Sequence, residues 1–330
     1  MRSFIRLAGL IAGTLALASY AAPAIAQADY PARPITVIVP FAAGGPSDTV
    51  ARIFSDHMSR TLGQQMVIEN VVGAGGTVGT IRAARATPDG YTVILGHLGT
   101  HVSAVGLYPN LAYNPVTDFE PIGLTAGMPV AVLAKKDFPA KDLKEFVAYL
   151  KANEAKLNQA HAGIASVSHT TCLMFNSIIG IKPIAIPYQG TGPSMNALVG
   201  GQVDYMCDQI LNASPQVSAG TIKTYVVASL ERNPALPDVP TSKEAGLPAF
   251  QMSAWNGFFA PKNTPKPVVD KLNAALLKAL DDPGVQKRLG ELGSELPPPP
   301  QRTAQFLSEH VKAEIARWTP ILKAAGAVVN

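Results

Sequence analysis

Residues 36–48 have the sequence TVIVPFAAGGPSD, which combines a β-branched run, a glycine-containing loop and a helix start. The run predicts a buried strand, and Ser47 or Asp48 is a favourable helix N-cap. The first amides of a helix have no partner inside it, and its N-terminus carries roughly half a positive charge. A carboxylate or phosphate is therefore stabilised there without basic side chains. The stretch predicts an anion site, although a purely structural turn would have the same pattern.

The N-terminus has the pattern of a secretory signal peptide. Two arginines precede an apolar run at residues 7–18, and small residues then precede a polar glutamine. The run is shorter than the ~20 residues of a membrane-spanning helix, so a membrane anchor is the weaker interpretation. We predict a signal peptide over residues 1–26, cleaved near Ala26, and a periplasmic mature chain.

Composition indicates a large globular protein. Of the 330 residues, 47% are hydrophobic and 15% are charged, which favours an extensive buried core in two domains. The formal net charge is +4 and the basic residues are not clustered, so no nucleic-acid partner is expected. Cys172 and Cys207 are the two cysteines. They could form a disulfide in an exported protein, but buried free thiols are the preferred interpretation.

The first part of the mature chain alternates strand and helix patterns, which predicts a parallel sheet with a crevice at the carboxyl ends of its strands. A second glycine loop at 70–79 is not a dinucleotide fingerprint, because Val78 stands where the pattern requires glycine. His97 and His101 are four residues apart, but no HExxH pattern is present and glycines flank them. We therefore expect a polar crevice lining, with no metal and no cofactor.

A second unit begins near residue 129 and has the same order of strand, loop and helix start. Small and hydroxyl-bearing residues at 160–171 precede a predicted helix at 170–179, which gives another helix N-terminus. A predicted strand at 203–208 ends in Asp208. The proline-rich segment 236–240 predicts a stiff hinge strand that leads the chain back to the first sheet. The predicted domains are 27–128 with 239–330, and 129–238.

Several ordered motifs resemble one protein family. They are residues 40–48, 73–76, 88–91, 188–190 and 200–204, and together they span essentially the whole mature chain. They closely resemble the Bug receptors, the substrate-binding proteins of tripartite tricarboxylate transporters. The resemblance implies an α/β fold of the two-domain, type II-like periplasmic binding protein kind. Each domain would be a mainly parallel sheet flanked by helices, with the ligand cleft between the domains.

The resemblance also implies how the ligand is held. Residues 41–45 would bind one carboxylate of a small organic anion through backbone amides, partly by way of ordered water, and Ser166, His169 and Asp208 would line the opposite side. The predicted ligand-binding residues lie at strand ends and helix starts: Phe41, Ala42, Ala43, Gly44, Gly45, Asp48, His97, Thr100, Ser166, Ser168, His169, Thr170, Tyr188, Gln189 and Asp208.

The expected ligand is a dicarboxylate, aliphatic or aromatic. Phe41, His97, His169 and Tyr188 could provide flat contacts to an aromatic ring. Structural alternatives exist for three of the predicted residues. Phe41 would serve equally well as a core residue under its loop, Asp208 as a loop cap, and His169 as a packing residue of its helix.

Two alternative functions compete with transport. Ser166 or Ser168 with His169 and Asp208 would suit an exported hydrolase, but the chain has no G-x-S-x-G elbow. A receptor for a membrane sensor kinase would need the same domain closure as a transport receptor. We predict a monomeric binding protein, not an enzyme, with the membrane subunits of a tripartite tricarboxylate transporter as partner.

Overall fold

The computed structural model describes residues 30–324. The predicted signal peptide, and the last residue of a terminal helix that the sequence predicts over 303–325, lie outside the described residues. The strands are β1 (Ile35–Val39), β2 (Met66–Asn70), β3 (Thr92–His97), β4 (Phe119–Lys135), β5 (Asn158–His161), β6 (Ile184–Pro187), β7 (Tyr205–Gln209), β8 (Ile222–Val227) and β9 (Ser253–Pro261). The helices are α1 (Pro46–Leu62), α2 (Thr77–Ala84), α3 (Ala104–Leu107), α4 (Leu143–Asn153), α5 (Val167–Ile179), α6 (Thr191–Val199), α7 (Ile210–Ser218), α8 (Lys266–Asp281), α9 (Pro283–Glu291) and α10 (Ala304–Ala324).

The strands form one continuous path in the order β2-β1-β3-β9-β4-β7-β5-β6, and β8 also pairs with β4. In the first half, β1 is parallel to β2 and β3, and β9 is antiparallel to β3. In the second half, β5 is parallel to β6 and β7, and β4 is antiparallel to β7 and β8. Most strands of each half thus run in one direction with helices against them, which confirms the predicted α/β fold.

Strand β4 joins the two halves without a break. Its first part pairs with β9, and its part from Val130 onward pairs with β7 and β8. The sequence pattern predicts a strand only from residue 130 onward, whereas β4 begins eleven residues earlier, at Phe119. Prolines and glycines between Pro121 and Pro129 have the composition of a loop, but register shifts near Gly123 and Ala126 accommodate them in the strand.

The second connection between the halves differs from the prediction. Residues 236–240 do not form the expected hinge strand; successive turns fold them, with Leu236 and Val239 buried against the second half. The crossing occurs between Ala228 and Met252 instead. The Ala228 amide donates to the Val130 carbonyl at 2.8 Å, and the Met252 amide donates to the Ala228 carbonyl at 2.9 Å. The two connections between the halves, strand β4 and the crossing at Ala228 and Met252, are thereby hydrogen-bonded to each other.

Buried side chains cover both faces of the first sheet. Ile35, Val37 and Val39 pack under α1 and α8, whereas Ile38 belongs to the cluster on the opposite face. This double burial is typical of parallel strands with helices on both sides. Within residues 30–324, no helix is both long and apolar enough to cross a membrane.

Cys172 on α5 and Cys207 on β7 form a disulfide, so the preference for free thiols was wrong. Helix α5 packs against β7 and brings the two Cα atoms to 5.4 Å. That separation lies within the range that a disulfide spans. The sequence could not provide this distance, because 35 residues separate the cysteines.

Candidate functional site

A cavity lies between the two halves, at the N-termini of α1 and α5 and the carboxyl end of β7. It encloses a volume of about 30 Å³. Its lining includes part of the predicted set, namely Phe41, Ala42, Gly45, Asp48, His97, Ser166, Ser168 and Asp208. It also includes residues that the sequence analysis did not select, namely Pro46, Ser47, Ala162, Val167, Thr191 and Gln209.

The N-terminus of α1 provides unpaired amides to this cavity. The helix begins at Pro46, and its N-cap, Gly45, makes no side-chain capping hydrogen bond. The amides of Ser47 and Asp48 have no hydrogen-bond acceptor among the described residues. Because these groups belong to the positive end of a 17-residue helix, the location favours an anion.

The Asp48 carboxylate holds the preceding loop in place. It accepts hydrogen bonds from the Gly44 amide at 3.1 Å, from Asn70 at 3.0 Å and from the Arg52 Nε at 2.9 Å. Burial alone would raise the Asp48 pKa, but these hydrogen bonds outweigh it and hold the pKa below its usual value. Asn70 also donates to the Phe41 carbonyl at 2.9 Å. Asp48 therefore acts in this arrangement as an anchor for residues 41–45.

The N-terminus of α5 faces the cavity from the second half. Ser166 is its N-cap: the hydroxyl accepts from the His169 amide at 3.2 Å and donates to the Gly163 carbonyl at 2.6 Å. The Ser168 hydroxyl accepts from the Ala162 amide at 2.8 Å, which leaves its own proton for Ser166 or for a ligand. The amides of Val167 and Ser168 have no acceptor among residues 30–324. The cavity thus lies against two helix N-termini.

Asp208, at the end of β7, is buried at one corner of the cavity. Its carboxylate accepts from the Gln209 amide at 2.8 Å and from the Asn212 side chain at 2.5 Å, and the Thr191 hydroxyl lies beside it. Burial raises the pKa of Asp208 to about 7, although these hydrogen bonds oppose the shift. This corner therefore offers an acceptor whose charge changes near neutral pH.

His97 contributes a neutral donor. Its Nδ1 accepts from the Gly99 amide at 2.8 Å, which places the ring proton on Nε2. Burial lowers the His97 pKa to about 4, so the ring is neutral at pH 7. The ring stacks on Phe41 with centroids 5.0 Å apart. Phe41 accordingly both lines the cavity and packs under its own loop.

Other predicted residues lie outside the cavity lining. Ala43 and Gly44 are exposed. Tyr188 is half-buried beside the second half's core, and the Gln189 side chain is exposed. Thr100 is buried behind His97. These residues are close in sequence to residues of the cavity lining, but they do not line the cavity themselves.

His169 and Thr170 are directed away as well, because each step along a helix turns the side chain by about 100°. The His169 ring lies 4.8 Å from that of His161 and borders a separate surface pocket. Burial, and then the neighbouring His161, lower its pKa to about 3. Within the described chain, the His169 imidazole makes no hydrogen bond with the hydroxyl of Ser166 or Ser168. The arrangement that the alternative hydrolase function would require is therefore not assembled.

His101 does not join His97 in the cavity. It is buried in the core and stacks on Phe259 with centroids 4.0 Å apart. The described residues contain no group of three or more potential metal ligands.

The two halves touch directly around the cavity. The Ala42 amide donates to the Gln189 carbonyl at 3.0 Å. On a second side, a Cβ added to Gly75 would lie 1.8 Å from the Ile164 carbonyl oxygen, so only glycine fits this contact. Gly75 also has a positive φ of 64°, which favours glycine.

Fold and cavity define a binding protein with two lobes and a ligand site between them, and comparisons with known proteins specify its family. Residues 50–327 match the model of the tripartite tricarboxylate transporter family receptor, and the chain belongs to this family. Because the family consists of receptors, the predictions of a binding protein and of Bug-type relatives are confirmed.

Three solved structures are closely similar. The protein MatC (Rpa3494) from Rhodopseudomonas palustris, with bound malate, is 53% identical, with a TM-score of 0.87 over 89% of this chain and 100% of that one. The periplasmic binding protein BugD is 46% identical, with a TM-score of 0.88 over 91% and 99%. R. palustris Rpa4515, with adipate, is 31% identical, with a TM-score of 0.86 over 90% and 98%.

Proposed function

We propose that this protein is a periplasmic receptor that captures a small dicarboxylate in the central cavity and delivers it to the membrane subunits of a tripartite tricarboxylate transporter. One observation carries the proposal: two helix N-termini with unpaired amides face one cavity. The similar proteins with bound malate and adipate support this ligand class.

The charge of the lining suits reversible capture. Among residues 30–324, the cavity lining contains no lysine or arginine. A helix N-terminus stabilises an anion by about 0.3–1 kcal/mol, and by up to about 2 kcal/mol when partly buried. Two such ends, together with hydrogen bonds from amides and the Ser168 hydroxyl, hold a dianion without the stronger grip of bidentate guanidinium pairs. A transport receptor needs this balance because it must release its ligand.

Closure of two domains on the ligand is part of the proposal. Residues 239–252 pack with the second half, so the proposed domains are residues 27–128 with 253–330, and residues 129–252. The hinge would lie in β4 and near Ala228 and Met252. The contacts of Ala42 with Gln189 and of Gly75 with Ile164 would then belong to the closed form. We further propose that residues 1–26 direct export and that the mature protein is a monomer.

A thermal-shift screen of the mature protein tests this function. The set contains mono-, di- and tricarboxylates, aromatic acids and neutral diamide analogues. A ligand at about one hundred times its dissociation constant should add roughly 2.7 kcal/mol of stability. We expect stabilisation by dicarboxylates that is lost in their mono-esters. Stabilisation by neutral solutes alone would show that the helix N-termini are structural and that the proposed function is wrong.

A charge introduced at Gly45 tests the location of the site. Gly45→Asp places a carboxylate at the N-terminus of α1, and we expect it to abolish dicarboxylate binding. Gly45→Asn is the matched control, because both side chains meet the Thr191 hydroxyl, which would lie 3.0 Å from the new Cβ. Calorimetry should show much weaker binding in the aspartate variant than in the asparagine variant. Equal affinities in the two variants would contradict an anion site at Gly45.

A further inference from the structure

The polar groups of the cavity are not evenly distributed. The N-termini of α1 and α5 present hydrogen-bond donors, which match carboxylate oxygens. The corner at the end of β7 instead presents the Asp208 carboxylate. An unsubstituted dicarboxylate has only acceptors when ionised, so it cannot donate a hydrogen bond to the ionised Asp208 carboxylate.

The side chain of Gln209 provides a second hydrogen-bond acceptor at this end of β7. This side chain is 4% exposed and belongs to the cavity lining. Its Oε1 is buried without a hydrogen-bond partner among residues 30–324. Leaving a buried polar group unpaired costs about 1–3 kcal/mol, so such groups in native proteins are normally paired. Gln209 directly follows Asp208 in the sequence, and both residues line the cavity.

We propose that Asp208 and Gln209 form a subsite for a hydrogen-bond donor on the ligand's carbon chain, a hydroxyl or an ammonium group beside a carboxylate. This inference rests on the proposed dicarboxylate function and specifies which dicarboxylates bind best. The subsite recognises the donor, and the two helix N-termini recognise the carboxylates.

The charge of Asp208 distinguishes the two kinds of donor. A hydroxy-diacid brings two negative charges beside Asp208, which favours the protonated carboxyl. An amino-diacid brings a positive charge to the same place, which favours the ionised carboxylate. Asp208 is the group whose charge changes near pH 7, since its pKa is raised to about 7 by burial.

The other titratable groups on the elements around Asp208 keep their charge near neutral pH. Ala131 of β4, which lies opposite Asp208, and Thr191 and Asn212 on α6 and α7 carry no charge. Burial lowers the pKa values of the three imidazoles on β3, β5 and α5, which are His97, His161 and His169. Hydrogen bonds, including those from Arg52, hold the pKa of Asp48 below its usual value.

Matched diacids test the subsite by titration calorimetry. Succinate, malate and aspartate share four carbons, and glutarate, 2-hydroxyglutarate and glutamate share five. We expect a substituted acid to bind wild type about ten- to one hundred-fold more tightly than the plain acid of its length, as for one hydrogen bond to a charged group. Gln209→Leu and Asp208→Asn should reduce this ratio toward one while plain acids still bind.

The pH dependence then identifies the donor. If the hydroxy-acid binds more tightly and its affinity falls between pH 6 and 8, the subsite recognises a hydroxyl. If the amino-acid binds more tightly and its affinity rises over the same pH range, the subsite recognises an ammonium group. Asp208→Asn should flatten either profile. A substituted-to-plain ratio near one in wild type, or a ratio unchanged in both variants, would overturn the subsite. Failure of every diacid to bind would instead refute the proposed function.

Discussion

Gly75→Ala should weaken ligand binding by blocking the approach of the two halves. The new Cβ would lie 1.8 Å from the Ile164 carbonyl oxygen, whereas a carbon–oxygen contact normally needs about 3.3 Å. The halves would have to separate by about 1.5 Å at this point. Both atoms belong to backbone or are fixed to it, so side-chain rotation cannot relieve the overlap.

The expected loss follows from the contacts that this separation breaks. The hydrogen bond between the Ala42 amide and the Gln189 carbonyl closes the other side of the cavity and contributes about 1 kcal/mol. Weakened contacts between the ligand and one of the helix N-termini add to this. We expect a rise in the dissociation constant of at least about tenfold, which corresponds to 1.4 kcal/mol.

Gly63→Ala is the matched control. Gly63 has a φ of 71°, close to the 64° of Gly75, but a Cβ there would meet nothing within 4 Å. Both variants should lose about 1 kcal/mol of folding stability from the left-handed backbone. Titration calorimetry with the strongest dicarboxylate should show weak binding only for Gly75→Ala. If the two variants bind with the same affinity, the contact between Gly75 and Ile164 does not belong to the ligand-bound form.

Three further predictions concern stability and the loop at residues 41–45. Because the Asp208 pKa is raised from 3.8 to about 7, the folded state binds this proton more tightly than the unfolded state, and the group's contribution to stability falls as pH rises, by up to about 4 kcal/mol. Urea unfolding should therefore show Asp208→Asn gaining stability relative to wild type between about pH 4 and 7. Parallel profiles over this range would contradict the shift. Reduction of the disulfide between Cys172 and Cys207, which are 35 residues apart, should lower the free energy of unfolding by about 4 kcal/mol, and an unchanged value with reductant would refute this contribution. Asn70→Ala removes a donor from Asp48 and from the Phe41 carbonyl, and should cost about 1–3 kcal/mol and weaken binding; full affinity would show that the loop keeps its shape without Asn70.

The strands and helix starts with strong local patterns were predictable from the sequence. The β-branched run before Pro40 and the glycines after it predicted β1, the loop and the start of α1. Strand β8 was not assigned, although residues 222–227 are rich in β-branched and aromatic types. Helix α9 was also missed, because Pro283 and Gly284 suggest a break, whereas Asp282 caps the helix and proline is favourable at its first position.

The site was predictable where the backbone determines it. Residues at helix starts, such as Gly45 and Ser166, follow directly from the strand–loop–helix pattern. Thr191 and Gln209 occupy equivalent positions and could have been found by the same rule. The direction of the His169 side chain could not, because it depends on how helix α5 packs against its neighbours. Pairing between distant groups, as for the cysteines, likewise needs the three-dimensional fold.

The disulfide also fixes part of the binding geometry by a covalent bond. Cys207 directly precedes Asp208, and Cys172 lies one helical turn after Ser168. The bond therefore couples the acceptor corner to the donor end of α5 before any ligand arrives. Oxidation during folding would preorganise this half of the site once, and each later binding event would need to order only the approach of the other half. The oxidation of Cys172 and Cys207 would therefore reduce the entropy that the protein loses when it binds its ligand.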